Sequence, residues 1–136
     1  MARTLFDDTT QMLHQVMNLR QQKQQVIVSN VANAQTPGYS PVRMHFTEQL
    51  RAAVEQGATR MEATHPRHQP PGGQGIQGVE PQVTRQQDRS GIGDGNPVDV
   101  NDEMMALSQN QILYEATTQM LNKKLGMLKY AASGGR

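Results

Sequence analysis

Apolar residues near the C-terminal end recur every seven positions, and this spacing constrains the fold more than any other feature. The unbroken series is Val100, Leu107, Tyr114, Leu121 and Leu128, and it is widened at the four-residue offset by Met104 and Leu125. Such spacing places one apolar stripe along an α-helix. Asp99 is positioned to cap the helix, and two glycines follow Ser133. The pattern predicts a helix from about Val100 to Ala132.

A second stripe at helical spacing lies near the N-terminus, within residues 1–35. Its members are Leu5, Met12, Val16, Leu19 and Val26. This helix is expected to stop near Ala34, because Thr36 precedes a proline and is pushed out of the α region. Two long helices with seven-residue stripes favour a mainly α fold in which the termini pack as an antiparallel coiled coil. An ordinary antiparallel hairpin within a small bundle is the alternative.

Between the two helices the chain is rich in glycine and proline. Eight of the 12 Gly fall between Gly57 and Gly95, and residues 58–98 are therefore predicted to form a loop-rich insert. Residues 36–57 are expected to contain a turn, an extended segment over 40–46 with alternating apolar positions, and a helix from Glu48 to Gln56. Thr47 would cap that helix and Gly57 would end it. Residues 99–136 then form one assembly unit with residues 1–35.

The end of the first helix carries turn chemistry in a specific order. Pro37 presets φ near −65°, and Gly38 supplies a positive φ, so Thr36 to Tyr39 is predicted to form a type II turn. Asn30 and Asn33 are expected to hydrogen-bond the last helical carbonyls. From the residues alone, the segment is explained as a well-made helix stop.

Composition excludes several classes of function. Only 35% of the 136 residues are hydrophobic and 4% are aromatic, which is too little for a thick core. The absence of Cys excludes thiolate catalysis and Cys-ligated metals, and a net charge of +1 argues against a nucleic-acid binder. The longest apolar run is far too short for a membrane span, and acidic residues near the start do not fit a secretory signal. We expect no catalysis and no cofactor.

Three other residue groups have simpler explanations than a site. The histidines His45, His65 and His68 lack the rigid spacing of zinc ligands. The acidic residues Asp99, Asp102 and Glu103 are interpreted as charges that cap the last helix. Four methionines on that helix suit core packing, but they equally suit an adaptable interface, and both interpretations stay open; they are Met104, Met105, Met120 and Met127.

The segment from Asn30 to Tyr39, Asn-Val-Ala-Asn-Ala-Gln-Thr-Pro-Gly-Tyr, resembles the N-terminal signature of the flagellar rod and hook family of bacterial axial proteins. The segment from Asp94 to Met104 is similar to the one that opens the C-terminal helix in a proximal rod member, although Pro97 stands where Thr is expected. The resemblance covers essentially the whole chain. The motif residues are Asn30, Asn33, Thr36, Pro37, Gly38, Tyr39, Gly95 and Asn96.

The resemblance implies a structural subunit of the proximal rod that has no catalytic role, no small-molecule substrate and no nucleic-acid partner. It implies helical assembly with copies of itself and with other rod subunits, transmission of torque, and a place in the wall of the export channel. The MS ring and the export gate, or their adaptor, would lie below it. Export to the periplasmic rod would use the flagellar type III apparatus without a cleaved signal peptide. A small soluble helical adaptor or chaperone with a Met-rich groove is the alternative that the residues leave open.

Overall fold

Two long helices and a small two-stranded sheet make up the fold. The computed structural model describes residues 7–58, 75–86 and 98–134. The elements in chain order are α1 (Asp8–Ala32), β1 (Val42–His45), α2 (Thr47–Ala58), a 3-10 turn (Gly75–Gly78), β2 (Gln82–Arg85) and α3 (Val100–Ala132). The mainly helical class is therefore confirmed.

Both long helices begin at an aspartate that satisfies free backbone N–H groups. The predicted bounds of α3 are confirmed, and the side chain of Asp99 accepts hydrogen bonds from the backbone N–H groups of Asn101 and Asp102 at 2.8 and 3.3 Å. Asp7 caps α1 by accepting from the backbone N–H of Thr10 at 3.0 Å. The helix ends two residues before the predicted stop.

Three polar contacts show how α1 and α3 lie side by side. From the C-terminal to the N-terminal end of α1, Asn30 bonds Glu103, the carbonyl of Arg20 accepts from Asn110, and Asp7 pairs with Lys124. The residue numbers of the contacts therefore decrease along α1 as they increase along α3, which shows that the two helices run antiparallel. Coiled-coil packing of this pair stays a prediction.

The stripe predicted on α3 is correct along one line and wrong along the other. The series from Leu107 to Leu128 is half-buried, as predicted, but the flanking Met104 and Leu125 are 48% and 39% exposed, and Val100 is exposed as well. The buried residues of α3 are instead Glu103, Asn110 and Thr117. Each of these lies three residues after a member of the apolar series, whereas Met104 and Leu125 each lie four residues after one. Residues at the two offsets lie on opposite sides of a helical stripe. On α3 the buried side is the one whose residues make hydrogen bonds to α1.

The stripe predicted on α1 lies partly against the sheet. Leu19, only 1% exposed, forms a cluster with Met44, Phe46 and Val79, and Val26 packs against it. Met12 and Val16 are half-buried, and Leu5 lies outside the described residues. We call this cluster the small core. It joins α1 to the two-stranded sheet, so the N-terminal stripe contacts the sheet as well as α3.

The middle of the chain contains more regular structure than the sequence predicted. The extended segment forms β1, which pairs antiparallel with β2 so that Met44 lies opposite Val83. β2 was missed because all four of its residues are exposed and give no alternating pattern. The bounds of α2 also differ, since Thr47 is its first residue and Gly57 lies inside it. Its first hydrogen bond runs from the N–H of Leu50 to the carbonyl of Phe46, one residue earlier than predicted.

The charge on Asp7 generates a prediction about acid stability. The Lys124 ammonium, with further hydrogen bonds from Thr10, lowers the pKa of Asp7 from 3.8 to about 2. A carboxyl group whose pKa is depressed in the folded chain stabilises the fold at pH values above its pKa in the unfolded chain. For Asp7, that contribution is lost as the pH falls through about 2. We expect Asp7→Asn to lose this contribution at neutral pH and to show a flatter loss of helix on acidification, measured by far-UV circular dichroism.

Asp8→Asn is the matched control, because Asp8 is the adjacent, exposed carboxylate in the first turn of α1. It should keep the acid dependence of the unaltered chain. Indistinguishable acid profiles for Asp7→Asn and the unaltered chain would contradict the assignment.

Candidate functional site

The turn after α1 has the predicted geometry. The N–H of Tyr39 donates to the carbonyl of Thr36 at 3.2 Å, and Gly38 has a φ of 73°. This hydrogen bond and the positive φ at the third position define a type II turn. Asn33 caps the preceding helix as expected, because its side-chain amide donates to the carbonyl of Ser29 at 2.8 Å. The turn prediction is confirmed, whereas a role of these residues in assembly stays a prediction.

Asn30 does not bond the last helical carbonyls, and that prediction is wrong. Its side chain is completely buried and pairs with the backbone of Val42 at the start of β1. The side-chain amide donates to the Val42 carbonyl at 2.8 Å, and the side-chain oxygen accepts from the Val42 N–H at 2.9 Å. Tyr39 adds its hydroxyl to the same oxygen at 3.1 Å. A carboxamide carries the donor and acceptor of a peptide group, so Asn30 takes the place of a neighbouring strand on this edge of β1.

Glu103 connects this arrangement to α3. Its carboxylate is completely buried, and Oε1 accepts from the Asn30 amide at 3.1 Å and pairs with Arg43 at 2.8 Å. We call Asn30, Tyr39, Arg43 and Glu103 the polar junction. The interpretation of Glu103 as an exposed capping charge is wrong, because its side chain points to α1 and β1. Nothing in the local sequence signalled this, since its partners lie 60 and 73 positions away.

Lys23 lies within electrostatic range of Arg43 in the polar junction and of Arg20. Burial is the main cause that lowers the pKa of Lys23, and the charges of Arg20 and Arg43 lower it further. Burial also lowers the pKa of Arg20, whose guanidinium lies 5.7 Å from the centre of the Phe46 ring. The arrangement is suited to fixing the direction of β1 and its turn relative to the helix pair, and it presents no activated nucleophile among the described residues.

A second feature is an exposed apolar surface on α3. We call it the Met-rich face; its members, each 47–65% exposed, are Met105, Ile112, Leu113, Met120 and Met127. A shallow groove of about 570 Å³ at its N-terminal end is lined by Asn101, Met104, Met105, Ser108 and Gln109. Core packing within this chain is therefore the wrong interpretation of the four methionines singled out in the sequence. An exposed apolar surface of this kind on a small chain is a candidate interaction site.

The remaining sequence predictions lie outside the described residues. They concern Gly95, Asn96 and the histidines His65 and His68. Within residues 7–58, 75–86 and 98–134, no group of three or more metal-ligating side chains comes together. None of the helices in this part of the chain is long and apolar enough to cross a membrane.

Comparison with known proteins links this geometry to a family. A family model described as flagella basal body rod protein matches residues 16–39, which include the end of α1 and the type II turn. The chain is 34% identical to the flagellar basal body rod protein FlgB of Bacillus subtilis (strain 168), over 98% of this chain and 99% of the relative. It is 31% identical to FlgB of Escherichia coli (strain K12) over 88% of this chain, and 29% identical to FlgB of Aeromonas hydrophila over 90%.

Removing Glu103 should loosen β1, although the two segments are far apart in the sequence. Glu103→Ala leaves the Arg43 guanidinium without its carboxylate and removes an acceptor from Asn30, at a cost of about 1–3 kcal/mol. We expect faster hydrogen exchange at the backbone amides of residues 42–45, measured by mass spectrometry. Asp102→Ala is the matched control, since Asp102 is the adjacent but exposed carboxylate. Equal exchange in the two variants would show that Glu103 does not hold the strand.

Two glycine substitutions isolate the contribution of the turn backbone. A Cβ atom at Gly38 or at Gly126 would have no atom within 4 Å, but only Gly38 has a positive φ. Gly38→Ala should therefore lower the free energy of unfolding by about 1–2 kcal/mol. Gly126→Ala, inside α3, should raise it by roughly 0.5–1 kcal/mol. Chemical denaturation measures both, and a stabilising Gly38→Ala would be incompatible with the turn described.

Proposed function

Because the chain belongs to the FlgB family of flagellar basal body rod proteins, we propose that it builds the proximal rod by helical assembly through its two long terminal helices. Membership rests on 34% identity to a relative over nearly the full length of both chains. The family is structural rather than enzymatic, so the chain is a structural subunit of the basal body rod. The alternative of a small adaptor or chaperone has no comparable support.

The Met-rich face of α3 is the observation that carries the proposal of helical assembly. Leu113, Met120 and Met127 follow one another at seven-residue intervals on the side of α3 that α1 does not cover. A helix of another subunit can pack along such a stripe. Methionine side chains adapt to partners of different shape, which suits a subunit whose neighbours include its own copies and other rod proteins.

The polar junction supports a fixed orientation between the helix pair and the two-stranded sheet. In a helical assembly, every copy must present the same two surfaces to its neighbours. The four residues of the junction connect α1, the turn, β1 and α3 through buried hydrogen bonds and an ion pair. Such a connection also suits a subunit that transmits torque and forms part of the channel wall, because twisting force would pass between firmly joined elements.

The family assignment also supports the neighbours and the route that we propose. The subunit would contact the MS ring and the export gate, or their adaptor, at the base of the rod. It would reach the periplasm through the flagellar type III export apparatus without cleavage of a signal peptide. These proposals follow from membership of a basal body rod family rather than from any contact in the chain.

A charge placed on the Met-rich face tests the proposal. Met120→Glu should leave the fold intact, because Met120 is 59% exposed, but it should block assembly by placing a carboxylate in an apolar interface. Gln119→Glu adds the same charge at the adjacent exposed position and serves as the matched control. The measurements are circular dichroism of the purified chains, swimming in soft agar, and the subunit content of isolated basal bodies.

We expect equal helix content in both variants, swimming with Gln119→Glu, and loss of swimming and of rods with Met120→Glu. Normal rods containing Met120→Glu would remove the Met-rich face from the proposal. A loss of helix in that variant would instead mean that the side chain contributes to the fold of the single subunit, which is contrary to its exposure.

A further inference from the structure

The side of α3 that faces α1 carries a line of polar residues at seven-residue intervals. They are Glu103, Asn110, Thr117 and Lys124. The first three are buried, and Lys124 is partly buried. We call these four residues the polar line. An apolar residue at each position would bury more apolar surface, so the polar line requires a different explanation from core packing.

Two members of the polar line leave buried atoms unsatisfied. Oδ1 of Asn110 and Oε2 of Glu103 accept no hydrogen bond from the residues that the structure describes. Buried polar atoms without partners oppose folding. These two atoms therefore oppose folding, although other atoms of the polar line make the cross-helix contacts.

Apolar contacts alone would not select one alignment of α1 and α3. The half-buried series from Leu107 to Leu128 repeats every seven residues, so sliding α3 by one repeat presents the same stripe to α1. The polar contacts do not repeat in this way. Glu103 contacts the side chain of Asn30, and Lys124 contacts that of Asp7 at the N-cap of α1, so a slide of one repeat breaks both contacts. Asn110 instead bonds the backbone carbonyl of Arg20, a group that every residue carries, and does not distinguish one alignment from another.

We propose that the side-chain contacts of Glu103 and Lys124 fix a single alignment of the two long helices. Thr117 has no such role, because its hydroxyl donates to the carbonyl of Leu113 in its own helix at 2.7 Å. A buried polar residue in a helix pair sets the alignment because every other alignment leaves it unpaired. A single alignment keeps the Met-rich face at one position along the helix pair relative to the turn and the two-stranded sheet of the same subunit.

Spin-label distances test the proposal on the full chain, which contains no native cysteine. Labels attached at Gln24→Cys and Gln119→Cys lie on exposed positions of α1 and α3, away from the polar line. A slide of seven residues moves one helix along the other by about 10 Å, at ~1.5 Å per residue. Pulsed electron paramagnetic resonance resolves such a change as a second distance.

The test compares the unaltered polar line, the control Thr117→Val, and the triple variant Glu103→Met/Asn110→Leu/Lys124→Met. We expect one narrow distance with the unaltered line and with Thr117→Val. The triple variant should keep its helix content and show at least one further distance.

A single unchanged distance in the triple variant would overturn the proposal. A broad distribution with the unaltered line would also overturn it, because the polar contacts would then select no alignment. If the triple variant does not fold, Glu103→Ala/Lys124→Met decides the question with Asn110 retained: a further distance supports the proposal, and a distribution as narrow as that of the unaltered line refutes it.

Discussion

The carboxylate of Glu103 is withdrawn completely from solvent, and a buried charge persists only where partners replace the hydration that it has lost. Arg43 and Asn30 supply that replacement from β1 and from the end of α1. The contact therefore exists only when the helix pair and the two-stranded sheet are both in place. Either part alone would leave a buried ion or a buried amide without its partner, so the two parts of the fold stabilise each other.

This dependence on polar contacts follows from how little apolar surface the chain can bury. The small core consists of Leu19, Met44, Phe46 and Val79, and burying each such side chain contributes roughly 1.5–3 kcal/mol. Four residues cannot order two helices as long as α1 and α3. The fold is therefore determined by polar contacts to a larger extent than in a protein with a thick core. These contacts are the helix caps at Asp7 and Asp99, the polar junction and the polar line.

Local chemistry was predictable from the sequence, and long-range pairing was not. The bounds of α3 and the type II turn at Gly38 depend on residues within a few positions of each other, and both were predicted correctly. Strand β2 and the burial of Glu103 depend on partners 37 or more positions away, and both were missed. The error over Met104 has the same origin. Helical periodicity finds an apolar stripe, but it cannot decide which side of the stripe faces the neighbouring helix when polar groups make the contact.

In the proposed assembly, the exposed methionines of α3 allow one helix to serve two purposes. A helix that buried all its apolar residues against α1 would have none left for neighbouring subunits. Placing polar residues in the contact with α1 leaves Leu113, Met120 and Met127 exposed on another side of α3. In the proposed assembly, neighbouring subunits would cover this apolar stripe, and covering it would stabilise the folded subunit. For a protein of a rod-forming family, the growing rod is the place where those neighbours are present.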